Sequence, residues 1–433
     1  DALGNPNQAS LGDRKRALEM YDKALRSLEP VLAADPESRL ARRLHAQIRV
    51  QRAGTRDFGG KSGEGLETLT RAVADLRRLA REDAGDVKTT LALAAGLQLL
   101  GKRVSAGGGV TEINRSDEVK EHYREAETVL RTALRAHPAD PDLILHLAQI
   151  EYGRAIVFGS SEPDRAIQHH EAAVKWLAQL PVTSAETLEV RRLRANILLN
   201  LGWAQGQAHL YRAAISNMTL AAKVLENWAE MDPRNTTAQY QLSSAYRGRG
   251  IVHGYNHDRK EAIADFLAAA AIHKQLSAKD PANKVYRYLR GELLARVGNL
   301  LQESGKPTEA RSAAAEGIQI LTGLAAASGA SLSHLFGACR WLTETSVTSL
   351  RNPSAASAFC QQAITRTKGE DPDGWQGLSL AREQLGDLAA ATEAAKRALA
   401  LLPPSAPGKP VSVQRQEMEH TLARLQSRSA AKE

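Results

Sequence analysis

Aromatic residues make up only 4% of this 433-residue chain. So few large rings suit thin helix-on-helix seams, where Ala allows close approach, better than a broad globular core. Its two cysteines, Cys339 and Cys360, are too few for a disulfide framework. Cys360 reads as a small buried hydrophobe, and the pair does not fix the redox compartment. No apolar run approaches the ~18–20 residues of a membrane helix. The longest, Leu91 to Leu100, ends at Gly101-Lys102-Arg103. A secretory signal is missing and the chain does not start with Met, so Asp1 reads as a cut or processed end. Charge is present in plenty: 57 Lys plus Arg against 49 Asp plus Glu give a net +8. That surplus permits anionic partners without demanding nucleic acid.

What the chain does have is a period. Ala214, Ala262 and Ala310 stand 48 apart (262 − 214 = 48; 310 − 262 = 48). Leu198, Leu201 and Gly202 precede the first, Tyr246 and Gly250 the second, and Leu294, Val297 and Gly298 the third. Asp232-Pro233 and Asp280-Pro281 each follow 19 residues after an anchor alanine (Asp232 is 18 beyond Ala214, Pro233 19). Such self-similarity marks stacked supersecondary units. The spacing within each unit is that of two antiparallel helices, large residues on one meeting small ones on the other. These residues resemble the tetratricopeptide (TPR) repeat with a lengthened second helix. The last unit resembles the short repeat best, with Trp375, Leu378, Gly386, Ala391, Ala398 and Pro403 in place.

The resemblance implies an all-α fold, an α-α superhelix of antiparallel hairpins, curved and elongated. Anchored on the small position, the series runs Ala17, Leu66, Ala126, Ala166, Ala214, Ala262, Ala310, Ala356, Ala391. That predicts nine units, the first lacking its A-type helix. Asp-Pro pairs at residues 35–36, 140–141, 232–233, 280–281 and 371–372 read as N-cap plus first helical position, where Pro has no donor to waste. Residues 1–404 are expected to form the array. Residues 405–433 read as a linker, a polar capping helix from Val413 to Leu425 and a frayed tail. Ala53 to Gly65 and Ser105 to Val119 read as Gly-rich inserts. The segment Gly4-Asn5-Pro6-Asn7-Gln8-Ala9-Ser10-Leu11-Gly12-Asp13, with Ala17-Leu18 and Tyr21, resembles repeat arrays C-terminal to bacterial receptor-like serine/threonine kinases. That implies a kinase domain and membrane helix upstream and an extracytoplasmic array; without such attachment a cytoplasmic one is expected. The bare apolar side of the first helix (Leu18, Tyr21, Leu25) calls for cover by upstream sequence, self-association or fraying.

Catalytic chemistry finds little support. Gly54 to Ser62 nearly spells a phosphate-binding loop, but Gly54 lies six before Gly60 rather than five and an Arg-rich helix precedes it. Asp57-Phe58-Gly59 stands without the other kinase motifs. His169-His170 and His253 with His257 bring too few ligands for zinc. No enzyme, metal or cofactor is expected.

Function is expected on the A-type helices, which line the concave side in this architecture. Stepping along their open stripe gives Arg192, Tyr240 and Tyr288 on one rung; Asn196, Ser244 and Glu292 on the next; then Arg247; then Trp203 and Asn299. Such groups suit an extended peptide, with Arg forking an acidic side chain or C-terminal carboxylate. The carboxylate clamp of co-chaperones is not reproduced, since Leu199, Trp203 and Arg247 occupy its places. The reading is a non-catalytic protein- or peptide-binding scaffold or sensor, part of a larger signalling protein. The alternative, a nucleic-acid-associated TPR regulator, rests on the net charge alone and lacks any recognisable reading motif.

Overall fold

Helical hairpins succeed one another along the chain. The computed structural model describes residues 14–55, 63–106, 115–159, 162–402 and 413–430. Among these it contains helices and turns and no β-strand. Helix α1 (Arg14–Ala34) stands first. The hairpins α2 (Arg39–Thr55) with α3 (Gly63–Glu82), α4 (Val87–Ala106) with α5 (Arg115–Ala136), and α6 (Pro141–Phe158) with α7 (Pro163–Leu177) follow. A single turn, α8 (Val182–Ala185), leads into α9 (Leu188–Gln207) and α10 (Tyr211–Met231). Then come α11 (Thr236–Tyr255) with α12 (Arg259–Lys279), α13 (Lys284–Glu303) with α14 (Pro307–Ala326), and α15 (Leu332–Glu344) with α16 (Pro353–Arg366). The last pair, α17 (Pro372–Gln384) and α18 (Leu388–Leu401), is followed by α19 (Val413–Ala430). Packing divides the chain into two compact units, Asp1–Leu225 and Glu226–Glu433. The architecture is a TPR-like helical solenoid.

Small anchor residues explain why the hairpins close. Ala126, Ala166, Ala214, Ala262, Ala310, Ala356 and Ala391 are all essentially inaccessible, and Ala17 nearly so. Leu66 departs from the expected series: it is 40% exposed. Its neighbour Gly65 is buried instead and leads the series Leu69, Ala72, Val73, Leu76. The contact demands a side chain small enough for backbones to approach, so the anchor slips one residue to Gly.

In the three regular hairpins, a glycine of the A-type helix admits a knob from the B-type helix. A Cβ on Gly202, Gly250 or Gly298 would collide with Met218, Phe266 or Ala314 respectively. Each knob lies 16 residues after its glycine (218 − 202, 266 − 250, 314 − 298). In the α15–α16 hairpin the same slot holds a disulfide, Cys339 to Cys360, with Cα atoms 5.4 Å apart and 21 residues of separation. The five extra residues (21 − 16 = 5) lie in the α15–α16 connection, which carries a 3-10 turn at Thr348–Leu350. Cys360 is buried as expected; its bonding to Cys339 was masked by that shifted register.

The Asp-Pro pairs act in two ways. Asp140 and Asp371 are N-caps with Pro in the first turn, Asp140 Oδ1 accepting from the amides of Asp142 and Leu143 at 2.9 and 3.0 Å. At residues 35, 232 and 280 the expectation fails, since α2, α11 and α13 start later. There the Asp carbonyl accepts from Ser38, Asn235 and Asn283 three residues on, and Asn235 and Asn283 are the caps. Asp-Pro also starts a type I turn, and Asn caps as well as Asp does.

Helix α1 keeps Leu18, Tyr21, Leu25, Leu28 and Leu32 half-buried, with Ala17 fully covered. Helix α5 begins at Arg115 and buries Val119, so the second insert is shorter than expected. The Gly4 to Asp13 segment, the Asp57-Phe58-Gly59 and Gly60-Lys61-Ser62 motifs and Gly107 to Gly109 lie outside the described residues.

Candidate functional site

Three of the expected groove residues, Arg192, Asn196 and Trp203, sit on α9 in the first unit. Arg192 is half-buried, and burial lowers its pKa. The Asn196 carbonyl accepts from Asn200 Nδ2 at 2.8 Å. Trp203 is exposed. The other six belong to the second unit, on α11 and α13.

On α11, Tyr240 is 38% exposed, and its ring lies 6.1 Å from that of Tyr286 and 6.0 Å from that of His273. Its aromatic neighbour on α13 is therefore Tyr286, two residues short of the expected Tyr288. Ser244 directs its hydroxyl back to the Tyr240 carbonyl at 3.0 Å. Arg247 is exposed, and its charge is felt at Arg296 and His273.

On α13, Tyr288 and Glu292 come together: the Tyr288 hydroxyl lies 3.4 Å from Glu292 Oε1. Burial raises the Tyr288 pKa, and the Glu292 charge adds to the effect. The same Oε1 accepts from Trp341 Nε1 at 2.7 Å, and Arg296 lies 3.6 Å from the other oxygen. Asn299 is committed elsewhere. Its Oδ1 accepts from the Ser346 amide at 2.8 Å and from Thr345 Oγ1 at 3.3 Å, fastening the long α15–α16 connection.

Tyr288 and Glu292 open onto a cavity of about 890 Å³ within the second unit. Its walls come from α13, from Phe336, Arg340 and Glu344 on α15, from Asp373, Gln376 and Leu380 on α17, and from Glu417 and His420 on α19. A volume of that size belongs to the range of ligand sites. Arg296 and Arg340 stand 5.7 and 5.5 Å from the Trp341 ring, a geometry in which the π face attracts guanidinium. Burial lowers the Arg296 pKa, and the neighbouring charges of Arg340 and Arg247 lower it further. Burial alone would lower Arg340 too, but Glu344, 2.7 Å away, makes the net shift upward.

Helix α19 reaches this cavity because one side of it is docked. Met418 and Leu425 bury against Leu388, Ala391, Ala395 and Ala398. Arg424 and Arg428 both pair with Glu383 of α17. Gln414 Nε2 donates to Asp373 Oδ1 at 2.6 Å, and Arg415 donates to the Leu402 carbonyl at 3.1 Å. The helix thereby fills the place of a further A-type helix, offering Gln416, Glu417, His420 and Thr421 to the cavity.

Sequence reasoning missed the α15, α17 and α19 walls, although that of α17 was within reach. The rule that picks Glu292, 18 residues before Ala310, picks Asp373 before Ala391 (391 − 18 = 373). The next steps of the same stripe are Gln376 and Leu380. In α15, five inserted residues carry the stripe to Phe336 and Arg340, a shift visible only once Cys339 and Cys360 are paired. Helix α19 offers no repeat signal at all.

The histidine pairs have local tasks. His169 lies 2.7 Å from Glu151 and stacks on Phe158, and His253 lies 3.2 Å from Asp258.

The fold is that of a TPR-like solenoid, and helices α13, α15, α17 and α19 of its second unit line the cavity. No family model matches the chain, and no curated protein matches it. Solved structures do. RapI in its apo form is similar at a TM-score of 0.56 and 10% identity, over 90% of this chain and 97% of that one. The C-terminal part of a TPR repeat-containing protein from Cytophaga hutchinsonii aligns at a TM-score of 0.41 and 14% identity, over 70% and 91%. YrrB, described as a TPR protein with an unusual peptide-binding site, aligns at 0.30 and 16%, over 57% and 91%. At these identities the likeness is one of fold.

Proposed function

We propose that the chain is a non-catalytic scaffold or sensor that binds an extended peptide segment along the A-type helices of its second unit. The observation that carries this reading is the cavity where Tyr288 and Glu292 meet Arg340, Asp373 and Glu417. Arg340 lines it, with Arg296 beside the Trp341 ring and Arg247 beyond on α11, and an acidic side chain or C-terminal carboxylate of the ligand pairs with these groups. Tyr240 extends the surface on the α11 side, adding area at low entropic cost.

Selection from a random dodecapeptide display library, followed by titration of the selected peptides, tests the proposal. Arg247→Ala or Arg340→Ala is expected to cost about 1.5–3 kcal/mol of binding, as for a hydrogen bond to a charged group. Tyr240→Ala is expected to cost about 1–2 kcal/mol. Lys223→Ala, an exposed change on α10, is expected to stay within about 0.5 kcal/mol. Equal losses from all four, or none, would move the binding surface elsewhere.

The same reading makes the array part of a larger signalling protein such as a bacterial serine/threonine kinase. Its support is the resemblance carried by residues 4–21. The buried Cys339–Cys360 disulfide fits an oxidising compartment, where such bonds persist. Coding sequence upstream of Asp1 without a kinase domain would remove the kinase assignment.

A further inference from the structure

The cavity is not uniform in charge. Its α13–α15 side gathers guanidinium groups: Arg340 lines it, Arg296 lies against the shared Trp341 ring, and Arg247 is close enough for its charge to act on Arg296. Glu292 and Glu344 offset two of those three charges. Its α17–α19 side presents two carboxylates, Asp373 and Glu417, both exposed. Among the described residues neither forms an ion pair. Asp373 accepts only from the uncharged amide of Gln414, at 2.6 Å. The acidic residues of the cap and its neighbour contrast with them, since Glu383 is paired with Arg424 and Arg428, and Glu419 with Arg415.

We infer that the ligand of this cavity is a charge-segregated peptide. A Lys or Arg side chain meets Asp373 and Glu417, and an acidic side chain or terminal carboxylate meets the arginines. The inference rests on the peptide-binding reading above and adds the ligand's second charge and its direction. The two ends lie on helices about two steps apart. At roughly 8–10 Å per packed helix this is about 16–20 Å. An extended chain covers that distance in about five or six residues at ~3.3–3.6 Å each. Opposite charges at the two ends reject the reversed peptide, because each terminus would then face its own sign. Helix α19 is thus a specificity wall as well as a cap.

The test uses the full chain and the dodecapeptide library, now read for sequence. Expected is enrichment of a basic residue about five or six positions from an acidic residue or the C-terminus, in one order only. The charge reversal Glu417→Lys should weaken those peptides at least about tenfold, and selection on that variant should replace the basic residue by Asp or Glu. Glu417 is exposed, so this variant leaves α19 docked, which an unchanged thermal midpoint verifies. Asp373→Asn is the second variant; it removes the charge yet keeps an oxygen to accept from Gln414. Peptides sensitive to Arg247→Ala and Arg340→Ala but without a basic residue, or indifferent to Glu417→Lys, would overturn this inference and leave peptide binding standing. Both charge orders enriched alike would overturn it as well. Peptides indifferent to every cavity variant would bring down both.

Discussion

Gly377 packs directly against the disulfide of the second unit. A Cβ there would fall 3.1 Å from Cys360 Sγ and closer still to Cys339 Sγ. A thiol could swing aside, but two bonded sulfurs cannot. Gly377→Ala is therefore expected to destabilise the protein by about 1–3 kcal/mol, the range for an overpacked core. Urea unfolding measures it, and the same substitution in a Cys339→Ala, Cys360→Ala background should cost clearly less. Equal costs would show that the sulfurs are not the obstacle. His170 and His273 give a second expectation. Burial depresses both pKa values to about 4, with His169 and Arg247 respectively adding to it. The unfolded chain takes up its protons near the ordinary 6.5, so between those values it binds more protons than the folded chain. The stabilisation is complete above about pH 6.5 and is lost as pH falls toward 4. At pH 5 that loss is about 2 kcal/mol per histidine. His273→Gln should shrink the pH 7 to pH 5 fall in urea midpoint, and an unchanged fall would dismiss the histidine as its source.

Elements were most legible where the sequence repeats. Ala214, Ala262 and Ala310 gave the α10, α12 and α14 hairpins directly, because a close approach allows only a small residue and the 48-residue step leaves no freedom of register. At Leu66 the same logic was misapplied, since the adjoining Gly65 is the smaller residue and the buried one. Asp-Pro was ambiguous because a helix start and a type I turn draw on the same two residues. The cavity was half legible: the stripe rule reached Tyr288 and Glu292, lost register at the α15–α16 connection, and had nothing to say about α19. The last turns of that helix add ion pairs to the apolar seam of Met418 and Leu425. Glu383 of α17, 9% exposed at its side chain, serves both Arg424 and Arg428. Glu383→Ala should release the last turns of α19, leaving its Met418 anchor. Hydrogen exchange is expected to rise at least about tenfold for amides beyond Leu422, with little change in α17. Unaltered exchange would mean that Leu425 alone holds the end.

At the scale of the whole molecule, the buried side chains of the described residues fall into separate clusters, among them one around Leu69 and Leu97 in the first unit and one around Phe266 and Leu294 in the second. Each hairpin depends on its neighbours, as in other solenoids. Tyr123 of α5, 1% exposed, fills the space beside Gly101 of α4 and Gly153 of α6. Gly101→Val should collide with that ring, at 2.7 Å from Cε2 even for its Cβ. It is expected to speed exchange in α4, α5 and α6 while amides of α16 to α18 keep their protection. A uniform rise along the chain would show the two units to be one cooperative body.

The Cys339–Cys360 bond has a further consequence when the protein is pulled by its ends. Force drawn through the second unit can peel α15 from α16, but the chain between the two cysteines, a sequence separation of 21, stays locked behind the bond and never bears load. At roughly 3.6 Å per residue, less the 5.4 Å that the bond itself spans between the Cα atoms, it withholds about 70 Å of contour length. In a single-molecule stretching experiment the oxidised chain would reach full extension that much earlier than the reduced one. One hairpin of this solenoid is thus a fixed knot in an otherwise unspooling thread.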